Sequence, residues 1–137
     1  MNEKATFDDL RTVVEEDIDA LNHVNNLQYL RWTLKTASAH SKYVGWPAER
    51  YRALGSGWIV RSHKITYKVP ALLNDEILIR TRVAGFDRYS SVRKYTILRT
   101  SDATVCATAE TRWVFVNFET LRLVEIPEEV KHAFGFS

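Results

Sequence analysis

The chain is poor in the residues that staple or interrupt small folds. It has one cysteine, Cys106, in 137 residues. An internal disulfide is therefore excluded, and stability must come from a core, which a chain of this length can bury as a single domain spanning 1–137. Such cysteine usage fits a reducing cytoplasm, the expected location. Three prolines and five glycines leave no linker or low-complexity tract, and no internal repeat is found. No apolar run approaches the ~20 residues of a membrane span, and the opening MNEKATFDDL does not read as a signal peptide. Charge of one sign is also scarce. A net +2 is too weak for nucleic acid to be expected as a bulk electrostatic partner. The four histidines, at 23, 40, 63 and 132, lack ligand-like spacing with acids or cysteine, so no metal and no other cofactor is expected.

What remains is the material of an ordinary globular domain, 45% hydrophobic and 26% charged. LRTVVEEDI reads as a short first strand. From Leu27, the positions Leu27, Leu30, Leu34, Ala37, Ser41 and Val44 make one helical stripe. Asn25 and Asn26 stand at the cap position, and Gly45 with Pro47 ends the helix. WPAERYRAL predicts a second short helix. Four strand-like segments then follow, WIVRSHKITYKV, EILIRTRVAGF, YSSVRKYTILRT and ATVCATAETRWVFVN, rich in Val, Ile, Thr, Tyr and Trp. Alternation in the second and the last puts one face inward, which predicts an antiparallel sheet. Pro127 and two glutamates behind it predict a brief terminal helix. A helix with one apolar stripe and a sheet with one apolar face can bury each other, giving an α+β fold.

The junction into the long helix is unusually polar: Asp17-Ile18-Asp19, then His23-Val24-Asn25-Asn26, then Tyr29-Leu30. With Tyr67, Val69-Pro70-Ala71 and Asp75-Glu76 further on, this order resembles the hotdog-fold thioesterases of the 4-hydroxybenzoyl-CoA thioesterase-like family over residues 10 to 130. The resemblance implies a five-stranded antiparallel sheet wrapped around one long central helix. It also implies hydrolysis of a fatty or aromatic acyl-CoA without a cofactor, and a homodimer or dimer of dimers with its sites at the subunit interface.

Thioester hydrolysis needs a group that attacks or activates water and a group that holds the oxyanion. A helix start supplies the second through unpaired N–H groups and the dipole, and the Asn26 N–H is so placed. The resemblance carries the catalytic carboxylate onto Asp19, as nucleophile or as general base. A carboxylate is ordinarily ionised at neutral pH and suits either route. Asp17 is read as a supporting hydrogen-bond partner or turn residue on the same side of an extended strand. His23 is a candidate for orienting Asp19 or touching substrate. Tyr29, Trp58, Val60 and Tyr67, with Leu30, are candidates for the acyl pocket. Arg88, Arg93 and Lys94 are candidates for the phosphates of coenzyme A, with Arg61 and Lys64 as weaker ones.

The motif also resembles that of plant-type acyl-carrier-protein thioesterases, but Leu21 stands where those carry a catalytic asparagine. Gly57 and Trp58 stand where they carry an acid and a cysteine, so that machinery is not transferred. GxSxG is absent. The alternatives are an acyl-carrier-protein thioesterase, a hotdog hydratase or dehydratase, and a non-catalytic acyl-CoA-binding or regulatory module. The last would not need Asp19.

Overall fold

In the computed structural model, which describes residues 2–137, the elements follow the expected order. They are β1 (Thr6–Thr12), α1 (Asn26–Tyr43), α2 (Ala48–Leu54), β2 (Ser56–Tyr67), β3 (Glu76–Phe86), β4 (Ser90–Arg99), β5 (Val105–Asn117) and α3 (Glu128–Ala133). All strands pair antiparallel, in the order β1-β3-β4-β5-β2. One face packs on α1, the hotdog arrangement. No helix among the described residues is long and apolar enough to cross a membrane.

Alternation explains the sheet. Ile77, Ile79, Thr81 and Val83 of β3 are buried, as are Ser91, Arg93, Tyr95 and Ile97 of β4, and these parities face α1. The core has two parts. Under the first half of α1 lie Tyr29, Trp32, Ile77, Ile79 and Ile97. Beyond its midpoint, Trp46, Tyr51, Phe115, Val130 and Phe134 form a second, largely aromatic cluster. Asn25 caps α1 by accepting the Leu27 N–H on Oδ1 at 2.9 Å. Gly55, at φ +82°, closes α2 in the left-handed conformation that glycine adopts without strain.

Four local expectations are corrected. The first strand lies earlier, at Thr6–Thr12, and only Leu10 to Thr12 belong to both the expected and the observed segment. After it, Glu15–Asp17 is a 3-10 turn, so Asp17 and Asp19 do not share one side of an extended strand. The buried face of α1 is not the leucine stripe either. It comprises Tyr29, Trp32, Thr33, Thr36, Ala37 and His40, whereas Leu27 is 60% exposed. Two hydroxyls of that face find partners inside, since Thr33 Oγ1 donates to the Leu30 carbonyl at 2.6 Å and the Ala71 N–H donates to the Tyr29 hydroxyl at 3.0 Å, while the buried Thr36 Oγ1 has none among the described residues. Aromatic and hydroxyl side chains can thus fill a core that leucines flank. Pro127 caps α3 rather than opening it.

Candidate functional site

The junction into α1 is a small closed loop. Ile18 and Val24 form an antiparallel bridge, the Asp19 N–H donates to the His23 carbonyl at 2.8 Å, and the Asn22 N–H returns to the Asp19 carbonyl at 3.1 Å. Asn22 takes φ +62°, which asparagine tolerates better than most residues. Within this loop Oδ1 of Asp19 accepts the Leu21 N–H at 2.9 Å and the His23 N–H at 3.4 Å. Among the described residues nothing donates to its Oδ2. The carboxylate is therefore held by one oxygen and offers the other, which is what a base or nucleophile requires.

Asp17 behaves differently. It is only 6% exposed; its Oδ2 accepts the Val14 N–H at 2.9 Å and its Oδ1 accepts Gln28 Nε2 at 2.5 Å. Its carbonyl also accepts the Asn25 N–H at 2.8 Å. Asp17 thus fastens the entering loop to the first turn of α1, and both carboxylate oxygens are occupied.

The helix start leaves a donor over. The Leu27 N–H goes to the Asn25 side chain and the Gln28 N–H to the Asn25 carbonyl. Among the described residues the Asn26 N–H has no partner, and it sits at the positive end of an 18-residue helix. His23 is exposed. Its backbone, not its ring, contacts Asp19. Tyr29 is buried under this start, edge-on to Trp32 and Tyr67 with centroids 5.4 and 5.5 Å away, and burial pushes its hydroxyl pKa up. Tyr67, half exposed, donates its hydroxyl to the Asn26 carbonyl at 3.2 Å.

An apolar cavity lies elsewhere, between the second half of α1, α2, the start of β2 and α3. Its volume is about 260 Å³, and Trp46, Tyr51, Trp58, Phe86 and Phe134 line it with Arg93. Ala37, on its wall, is eleven residues along α1 from Asn26, about 16 Å at the helical rise. Trp58 donates Nε1 to the Tyr51 hydroxyl at 3.1 Å. Tyr29, Val60 and Tyr67 do not line this cavity; Val60 is half-buried and pairs across to Trp113. So the structure brings Asp19, Asn26, His23, Tyr29 and Tyr67 together at the helix start and sets Trp58 apart from them.

The three cations expected at phosphates also separate. Arg88, in the β3–β4 turn, is exposed and donates Nε to Glu125 Oε1 at 2.6 Å. Lys94 is on the outer face of β4, near Glu110 at 3.8 Å, beside a shallow depression bordered by Lys64 and Arg82. Arg93 points the other way and is 6% exposed, so it cannot meet a phosphate at the surface beside Lys94. Adjacent strand residues face opposite sides, and Arg93 shares the parity of Tyr95 and Ile97. That parity was the available signal for its burial. His40 was also missed. It is fully buried, its Nε2 donates to the Lys4 carbonyl at 2.7 Å, and its Nδ1 accepts Arg93 Nη1 at 2.8 Å. Burial, with the guanidinium beside it, pushes its pKa down to about 4.

The sequence profile of the thioesterase-like superfamily matches residues 13–134. Among solved structures, a 1,4-dihydroxy-2-naphthoyl-CoA thioesterase from Synechocystis superposes with a TM-score of 0.88 at 18% identity, over 94% of this chain and 95% of that one. A Staphylococcus aureus protein solved in complex with CoA gives 0.88 at 20% identity, over 93% of this chain and 80% of its own. A gentisyl-coenzyme A thioesterase gives 0.84 at 22% identity, over 94% and 100%. At these identities the likeness establishes a common fold.

Proposed function

The chain belongs to the thioesterase-like superfamily, and we propose that it hydrolyses a fatty or aromatic acyl-CoA thioester to the free acid and CoA. The observation that carries this is the pairing, in one loop and helix start, of a carboxylate oxygen and a backbone N–H that both lack partners. In the general-base route Asp19 takes a proton from water as the hydroxide oxygen bonds to the thioester carbon. The carbonyl oxygen becomes an oxyanion held by the Asn26 N–H, and its collapse breaks the C–S bond and expels the thiolate, which takes the proton from Asp19. In the nucleophilic route Asp19 Oδ2 bonds to that carbon, the thiolate leaves, and water hydrolyses the mixed anhydride, returning the Asp19 carboxylate and supplying the thiolate's proton. An oxyanion donor of this kind contributes roughly 3–4 kcal/mol in the transition state.

A second copy of the chain completes this reading. Only one edge of β2 is paired, to β5. Leu21, Leu27, Tyr67, Val69 and Leu72 are 38–74% exposed around the helix start. Pairing β2 with its equivalent covers an open edge by two-fold symmetry and covers these side chains. It also allows Asp19 of one subunit to face Asn26 of the other. For the phosphates of CoA the surface cations Lys64, Arg82 and Lys94 are the assigned partners. Arg88 is already engaged by Glu125. His23 is exposed at the mouth and is assigned to substrate contact.

Thiol release from short, long and aromatic acyl-CoAs tests the activity. Turnover of at least one class above the uncatalysed rate sustains it. Tight binding of acyl-CoA without release of thiol would instead favour the non-catalytic binding module.

A further inference from the structure

Arg93 poses a problem that the thioester chemistry does not solve. Its guanidinium is buried, yet among the described residues its only acceptors are neutral: His40 Nδ1 at 2.8 Å and Thr81 Oγ1 at 3.1 Å, both from Nη1. The His40 ring has no negative charge to offer, because Nε2 carries its proton toward the Lys4 carbonyl. Among the described residues no hydrogen bond engages Nε or Nη2 of Arg93, and the cavity lining holds no aspartate or glutamate. A buried cation normally has a counter-ion, since removing its hydration costs several kcal/mol. Arginine does not escape that cost by losing its proton. A guanidinium at the cavity with no counter-ion among the described residues suits an anion supplied from outside.

Several other polar groups around the cavity are engaged within the chain, whereas the buried Trp113 Nε1–H on its wall has no partner among the described residues. Ser41 Oγ donates to the Trp46 carbonyl at 2.7 Å and accepts from the Tyr51 hydroxyl at 3.0 Å, which in turn accepts from Trp58 Nε1. Ser91 Oγ donates to the Gly85 carbonyl at 2.8 Å. What is left is the planar, two-pronged donor of Arg93, with the Trp113 Nε1–H, in an aromatic box. A dry cavity of ~150 Å³ is enough for benzene, so about 260 Å³ accommodates a substituted ring.

We propose that this cavity binds a small aromatic carboxylate, whose two oxygens accept the Nε–H and Nη2–H of Arg93 while its ring packs among Trp58, Phe86 and Phe134. Fork-to-carboxylate pairing is the geometry arginine favours, and stacked or edge-on rings suit the walls. Burial pushes the Arg93 pKa down, and a bound carboxylate offsets that cost. The site is separate from the helix start and does not depend on thioester hydrolysis.

The test is titration of the wild type with benzoate and with benzamide, its neutral isostere, by calorimetry and by the fluorescence of the cavity tryptophans. Arg93→Met is titrated alongside. Saturable benzoate binding, at least tenfold tighter than benzamide and weakened at least tenfold in Arg93→Met, is the expected result. Equal binding of the two probes, binding of neither, or benzoate affinity untouched in the variant overturns the proposal. If Arg93→Met does not fold, the probe contrast in the wild type still decides, together with crystals soaked in 4-bromobenzoate. Bromine anomalous density among Trp58 and Phe86 supports the site, and its absence there refutes it.

Discussion

The Ala71 N–H donates to the Tyr29 hydroxyl at 3.0 Å, across 42 residues of chain, and so ties the first turn of α1 to the loop before β3. Ala71 is fully buried, so no water can replace the bond. Tyr29→Phe removes the acceptor, keeps the ring packing on Trp32 and Tyr67, and leaves a buried donor unmade. It is expected to cost about 1–3 kcal/mol in urea unfolding. A change below a few tenths of a kcal/mol would mean that the loop relaxes to find another acceptor.

Asp17 and Asp19 lie two residues apart and are expected to separate stability from catalysis. Asp17→Ala orphans the Val14 N–H and Gln28 Nε2, so it should lower the unfolding midpoint, by about 1–3 kcal/mol. Its kcat at a temperature where it is folded should fall much less than that of an Asp19 variant. Unfolding and thiol release measured on the same preparations check both halves.

His40 sets a pH dependence with a definite sign. Its folded pKa is about 4, while an unfolded histidine titrates near 6.5. Between these values the unfolded chain binds the extra proton, so stability falls as pH is lowered from about 6.5 to 4. Arg93 is the charge facing the ring, with Phe7 and Phe134 as its other aromatic neighbours. The loss amounts to about 3 kcal/mol at most. His40→Gln can still donate to the Lys4 carbonyl and accept from Arg93 but cannot titrate. Its urea midpoint should slope less across that window than the wild type's, most clearly between about pH 6.5 and 5.

Gly57 has little spare room. An added Cβ would come within 2.5 Å of the Phe118 ring and 3.3 Å of Tyr51 Cβ. Gly57→Ala should therefore swing the 40% exposed Phe118 ring away from the cavity wall and destabilise by no more than about 1 kcal/mol. Thermal unfolding reads this directly.

How much of this was legible in the sequence differed by element. β3 was found at its observed bounds because Glu76–Phe86 alternates buried apolar with charged residues. β1 was misplaced because TFDDLRT is an edge strand with no buried residue along it. The apolar pair Val13 and Val14 just beyond drew the expectation forward. The cap, the helix and its end were legible from Asn25, Gly45 and Pro47. The buried face of α1 was not, because Thr33 and His40 look polar until their partners are known, and Thr36 is buried with its hydroxyl unpartnered among the described residues. The partner of His40, Arg93, comes from a strand 53 residues away. Asp19 and the Asn26 N–H were named from the motif, whereas the occupied oxygens of Asp17 could be seen only in the folded loop.

The central claim is that Asp19 Oδ2 does the chemistry, and Asp19→Asn tests it most directly. Asparagine can keep the Oδ1 bonds to the Leu21 and His23 N–H groups while removing the basic, nucleophilic oxygen. With the best acyl-CoA of the panel, thiol release by this variant should fall by about two or more orders of magnitude, with substrate binding and unfolding midpoint little changed. Release at the wild-type rate from a folded Asp19→Asn variant would contradict the account.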